Sequence, residues 1–297
     1  MPNLSVMHKG MLCLYNLHRI LVAATNISKS IPCVTRGNLA LVVVAVLLLA
    51  LVAPVPSVFA TDRVINVAAA ADLSPALQEV AANYEKRSGV AVKLSFGASG
   101  ALTQQIQNGA PFDVFFSADM DYPRQLIAAG QAENSTLYCY AVGQLVLWVP
   151  KDSPLDIEHN GIQVLLDPFV KKIAVANPQH APYGRAAIAT LKHFDLYQKV
   201  AGRLVLGENV SQAAQFVESG NAQAGFVAKA HAMASAMRDK GKYWIVPADA
   251  YPMLAQGAVL LSRSPRRQDA AAFLEYVKSA EVKAVFQRYG FSVSERK

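Results

Sequence analysis

The chain has 297 residues, of which 28 are basic and 21 acidic, for a formal net charge of +7 with 53% hydrophobic residues. It has only three cysteines, Cys13, Cys33 and Cys139, too few for a disulfide scaffold, so stability must come from an ordinary apolar core. The basic residues form no dense Lys/Arg stripe, which argues against nucleic-acid binding.

Residues 1–60 carry Lys9, Arg19, Lys29 and Arg36 and no acidic residue, then an apolar run from Leu39 to Ala53. Pro54, Pro56 and the sequence Val58-Phe59-Ala60 follow, giving small residues at −3 and −1 of a cut before Thr61. A basic flank, a short apolar core and such a cut make a secretory signal peptide. The run is also short of the ~20 residues a membrane span needs, although an uncleaved N-terminal anchor is the alternative. The flank ahead of it is long, which a true start nearer Met7 or Met11 would partly explain, and no Cys sits at the cut to carry a lipid. Removing 1–60 leaves 237 residues with 24 basic and 21 acidic ones, so much of the positive charge belongs to the leader. Cys139 then stands alone in an apolar run and is expected to be a buried small hydrophobe.

Past the leader, short β runs alternate with amphipathic helices. A strand at Val64–Ala69 precedes a helix at Leu73–Ser88 with Leu73, Leu77, Val80, Ala81 and Tyr84 on one face. Ser74-Pro75 supplies one possible start for that helix and Asp72 another cap, and Gly89 closes it. Strands at Val90–Phe96 and Val114–Ser117 flank a helix over Gly100–Asn108, and Asp119 caps a helix running to Gly130. This βαβαβ rhythm predicts a mostly parallel sheet flanked by helices. Gln144–Val149 is the next strand, after which the same grammar repeats. Strands at Ile173–Ala176, Leu204–Leu206 and Ala224–Val227 are separated by helices at Gly184–Phe194 and Ser211–Glu218. Met233 and Met237, four apart, read as the core face of a helix. Gly257–Ser262 forms a strand, and helices over Gln268–Ser279 and Val282–Tyr289 end the chain. Two lobes are therefore expected: 61–142 with 257–297, and 143–256, joined by extended crossings near 143 and 256.

In open α/β sheets, ligands bind beyond the carboxyl ends of the strands, where helix N-termini present unpaired N–H groups and partial positive charge. Four strand-to-helix turns fit that setting: Ala70-Ala71-Asp72-Leu73, Gly97-Ala98-Ser99-Gly100, Ala181-Pro182-Tyr183-Gly184 and Glu208-Asn209-Val210-Ser211. Each alone reads as an ordinary cap. Two lie in each lobe, however, and closing the lobes would aim all four at one point.

Several stretches carry a family resemblance. Val67-Ala68-Ala69-Ala70-Ala71-Asp72-Leu73, Ser95-Phe96-Gly97-Ala98-Ser99, the run Gly109–Asp119 and Arg288-Tyr289-Gly290-Phe291 resemble periplasmic molybdate-binding proteins. So do Asn177–Gly184, Glu208-Asn209-Val210 and Ala224-Gly225-Phe226-Val227, in family order over about 63–293. The resemblance implies a two-lobed periplasmic-binding-protein-like fold of type II and a receptor feeding an ABC importer permease. It also implies a molybdate or tungstate ligand held by neutral donors, with no cofactor and no free metal cation. Carried over, it points to the turn at Asp72, the hydroxyl and N–H of Ser99, and the N–H groups of Tyr183 and Val210. A monomer is expected.

Two positions depart from the family pattern. Asp72 stands where a neutral polar residue is usual, and its carboxylate would repel a dianion. The expectation is that its side chain turns away to cap the helix. Protonation, or a ligand that carries its own proton, are the alternatives. Ala228 stands where some relatives supply a Tyr hydroxyl, and Tyr183 on the facing loop could substitute.

Asp113 and Asp119 are expected in loop and cap hydrogen bonds, Trp148 and Trp244 in packing, and His180 near the cleft in a supporting or surface role. His159, His193 and His231 have no metal-ligand spacing. An enzyme on this scaffold would need an activated nucleophile or an acid/base pair, and neither a G-x-S-x-G nor a Cys/His pair is present. A phosphate, sulfate or carboxylate receptor is the remaining rival. A carboxylate site would want an Arg, and Arg185 is the one near the turns.

Overall fold

Residues 63–293 are described by a computed structural model; the leader expected over 1–60 lies outside the described residues. The chain order is β1 (Val64–Ala70), a 3-10 turn Ala71–Leu73, α1 (Ser74–Ser88), β2 (Ala91–Gly97), α2 (Ser99–Gln107), β3 (Val114–Ser117) and α3 (Asp121–Ala128). β4 (Tyr138–Gly143) and β5 (Leu145–Pro150) follow, then α4 (Ile157–Asn160), β6 (Ile173–Ala176), α5 (Pro182–His193), α6 (Tyr197–Val200), β7 (Leu204–Gly207) and α7 (Val210–Glu218). β8 (Ala224–Ala228), α8 (Lys229–Met233), β9 (Gly241–Ile245), β10 (Leu254–Leu260), α9 (Arg267–Val277) and α10 (Ala280–Arg288) complete it.

Two five-stranded sheets result, with orders β2-β1-β3-β10-β4 and β7-β6-β8-β5-β9. Each has the same plan. Three strands run parallel, and the two that carry the chain between the sheets add antiparallel. The sheets are thus mixed, where the alternating elements alone suggested mostly parallel ones. The chain leaves the first sheet after Gly143, enters the second at Leu145, and returns in β10 from Leu254.

Helix faces meet the sheets as the apolar periodicity requires. Leu77, Val80, Ala81 and Tyr84 of α1 are buried, and Gly89, with φ 68°, ends the helix by donating to the Glu85 carbonyl. The left-handed conformation there suits glycine. Asp113, fully buried, accepts the Asn66 N–H and the Ser264 hydroxyl, both at 2.7 Å. Asp119 Oδ1 accepts the N–H groups of Asp121 and Tyr122 at 3.1 Å, capping α3. Trp148, on β5, is a core residue, and Trp244 packs at the edge of the larger core.

Three local expectations are corrected. Cys139 is exposed, because β4 is an edge strand and this residue lies on its outward face, beside the bulge at Gln256/Gly257. The helix expected to carry both Met233 and Met237 stops at Met233, where Ala234 turns extended with ψ 150°. Met237 is buried from the loop beyond. Lastly, α1 has no side-chain cap: Leu73 occupies the N-cap position, and neither Asp72 nor Ser74 bonds the first turn.

Candidate functional site

The four turns singled out from the sequence follow β1, β2, β6 and β7. The registers Ala70↔Gly97 and Ala176↔Gly207 align the carboxyl ends of each strand pair. They converge on one small cavity lined by Asp72, Ser99, Tyr183 and Val210, with Ala70, Ala71, Gly97, Ala98, Ala118, Ala181, Pro182 and Asn209 completing the wall. About 10 Å³ of space is open to the centre of a water molecule there, enough for one compact group and far too little for an organic ligand. Among the described residues no Lys, Arg or His lines it.

The way the helices begin leaves donors free. Ala70, Ala98 and Ala181 occupy three of the four N-cap positions and have no side chain with which to cap. At the fourth, Asn209 Oδ1 accepts from Ser211 and Gln212, the second and third N–H groups, and not from Val210, the first. Pro182 supplies no N–H, so Tyr183 offers the first one of α5. Ser99 Oγ accepts the Ala118 N–H at 3.0 Å, which leaves its own hydroxyl proton to be donated elsewhere. First-turn N–H groups and a hydroxyl from opposite sides of a cleft, without a cation, form a neutral anion cradle.

Asp72 departs from the expected cap. Its carboxyl is fully buried, and Oδ2 accepts from Gln256 Nε2 at 2.5 Å, while Oδ1 has no hydrogen-bond partner of good geometry. Burial pushes its pKa up to about 6, with hydrogen bonds from Gln256 and Tyr183 and the nearby Asp72 and Leu73 N–H groups pulling it back. Gln256 is fixed in turn, since Tyr140 donates to its Oε1 at 2.6 Å and so directs its amide NH2 toward Asp72. The Tyr183 hydroxyl accepts from the same Nε2 at 3.3 Å. That phenol fits only because position 143 is glycine, since a Cβ there would run into both Tyr183 and Gln256. Burial, with the Asp72 charge adding to it, holds the Tyr183 phenol well above its ordinary value. Gln256 and Tyr140, 116 residues apart, carry no sequence signal for this role.

Bonds outside the cavity hold the cleft shut. Gly100 N–H donates to the His180 carbonyl at 2.9 Å, which gives His180 a main-chain part in the cleft. Arg185 Nη2 donates to Asp119 Oδ2 at 2.5 Å and Nη1 to the Tyr122 hydroxyl at 3.2 Å, so Arg185 clasps α3 and is absent from the cavity wall. On another side, Ser211 Oγ donates to the Ala71 carbonyl at 3.0 Å and lies 2.8 Å from His231 Nε2. Ala228 ends β8 away from the cavity wall.

Two sheets on one plan, with helix N-termini from both meeting at a cavity, define a solute-binding protein. The family model of the bacterial extracellular solute-binding proteins matches residues 65–292, and the chain belongs to that family. It is 37% identical over 229 residues to a molybdate-binding protein of Azotobacter vinelandii, covering 77% of this chain and 90% of that one. A molybdate-binding protein of Rhodobacter capsulatus is 36% identical over 224 residues, covering 75% and 86%. The solved structure of the Azotobacter vinelandii periplasmic molybdate-binding protein superposes with a TM-score of 0.73 at 34% identity, covering 78% of this chain and all of that one.

Proposed function

We propose that this chain is an extracytoplasmic receptor that captures molybdate, with tungstate competing for the same site, and hands it to an ABC importer permease. The observation carrying this reading is the convergence of uncapped helix N-termini and the Ser99 hydroxyl on one small cavity whose described wall holds no cation. The relatives named for molybdate support the ligand. Asp72, Ser99, Tyr183 and Val210 are the binding residues. Each neutral donor becomes a charge-assisted one when the anion enters, so several give tight binding without a salt bridge that would slow release. The protein carries out no chemistry, acts as a monomer, and is exported to the periplasm by residues 1–60.

The lobes comprise 61–142 with 257–297, and 143–256, and they close over the ligand about the crossings next to Gly143 and before β10. Arg185 then acts as a clasp on the closed form. The pair with Asp119 is partly exposed, 43% on the Arg side, so it contributes about 1 kcal/mol or less. Arg185→Ala is therefore expected to weaken molybdate binding by no more than about fivefold, through faster release. A loss of a hundredfold in a stopped-flow release experiment would instead make Arg185 a ligand-binding residue.

Calorimetric titration with molybdate, tungstate, sulfate and phosphate at neutral pH tests the receptor itself. One-to-one binding of molybdate and tungstate, with sulfate and phosphate weak, is expected. One observation favours a second reading. The unpartnered Oδ1 of Asp72 at the cavity could accept from an anion that carries its own O–H, such as phosphate. Phosphate binding with molybdate excluded would establish that reading in place of the first.

A further inference from the structure

The carboxyl of Asp72 is the one acidic group in the cavity wall, and its position conflicts with a doubly charged guest. Its Oδ2 is occupied by Gln256, whose orientation Tyr140 fixes, which leaves Oδ1, buried and without a partner, as the oxygen free to meet a ligand. An unprotonated Oδ1 offers lone pairs to a ligand that has only lone pairs of its own. A proton between them turns that repulsion into a hydrogen bond. We propose that Asp72 couples oxyanion capture to proton uptake: one proton from solvent binds Oδ1 as the fully deprotonated dianion enters, and Oδ1–H donates to an anion oxygen. The proposal rests on the oxyanion-receptor reading above.

No other group near Asp72 is placed to supply that proton or to neutralise the charge. From α5 and β4 the neighbours are the Tyr183 and Tyr140 phenols, both held neutral by burial. Asp119, beyond Tyr140, is engaged with Arg185. From α8, His231 is kept neutral at physiological pH by burial, and Lys229 Nζ is bonded to Gln144 at 2.7 Å. With the cleft closed, burial alone sets Asp72 to titrate at about 6, and a dianion beside it raises that further. Above about pH 7 the free carboxyl is thus mostly ionised while the bound one is protonated. Linkage then requires one proton per ligand, and affinity falls about tenfold for each pH unit.

Calorimetry of the protein with molybdate at pH 8, in two buffers of different ionisation heat, reads the protons taken up per ligand. Uptake near one is expected, with affinity falling about a hundredfold between pH 7 and pH 9. In Asp72→Asn, uptake near zero and a flat affinity over that range are expected. Tight molybdate binding by the unaltered protein with no uptake and no slope overturns the proton coupling and leaves the receptor intact. A full slope surviving in Asp72→Asn overturns it too, since another group would then hold the proton. Absence of molybdate binding even at pH 6 overturns the receptor reading, and this inference with it.

Discussion

Asp72→Asn is expected to raise the stability of the protein by up to about 3 kcal/mol at pH 8, in full where the cleft stays closed, and the gain should vanish near pH 4. The cause is the carboxyl's raised pKa, about 6 against an ordinary 3.8, which burial produces. A raised folded-state value means that the folded protein binds this proton more tightly than the unfolded chain. The associated stability is fully present below about pH 3.8 and is lost as pH rises through 6. At about 1.4 kcal/mol per pH unit between the two values, the ionised carboxylate costs about 3 kcal/mol by pH 8. The carboxamide keeps the shape and cannot ionise.

His231 pulls the other way over an overlapping window. Burial lowers its pKa from 6.5 to about 4, so the fold favours the neutral ring, and stability is lost as pH falls from 6.5 toward 4. In the unaltered protein the two trends oppose each other. In Asp72→Asn the histidine trend is no longer opposed by Asp72, so its part in acidification from pH 7 to pH 4 should cost about 3 kcal/mol. Denaturant unfolding of both proteins at pH 4, 6 and 8 measures these differences. Equal stability at pH 8 would mean that an open cleft hydrates the Asp72 carboxylate or that another group pairs with it.

Much of this site could be read from the sequence because its residues lie in short local patterns. A β run, a short turn and an amphipathic helix recur four times, and each turn contributes one of Asp72, Ser99, Tyr183 and Val210. What could not be read depends on contacts between distant parts of the chain. Gln256 meets Asp72 across 184 residues, and Arg185 meets Asp119 across 66. The misplaced cap has the same origin. An Asp shortly before a helix is a capping signal, but a 3-10 turn intervenes here, and the buried amide of Gln256 gives the carboxyl a different partner. Cys139 is exposed despite its apolar neighbours, because an apolar run does not reveal which face of an edge strand is covered. β4 carries no clear strand signal and α8 ends short of Met237 because an edge strand and a five-residue helix leave little periodic pattern.

Ser99→Ala separates hydrogen-bond donation from proton coupling at the same site. Ser99 begins α2 from the first sheet, and its Oγ is committed as acceptor to Ala118 N–H. Its remaining proton is therefore directed by the protein, with little reorientation needed when the anion arrives. Removing a hydrogen bond to a charged group should weaken molybdate and tungstate binding by about 1.5–3 kcal/mol, with similar losses for two ions of the same charge and shape. The lost acceptor also strands the buried Ala118 N–H, for a separate stability cost of about 1–3 kcal/mol. Binding is accordingly measured by calorimetry well below the melting temperature, where the variant remains folded. Proton uptake should survive in Ser99→Ala, because Asp72, Gln256 and Tyr140 are untouched. If the affinity is unchanged, the Ser99 hydroxyl does not face the ligand. If affinity and proton uptake fall together, the two groups act as one hydrogen-bonded unit.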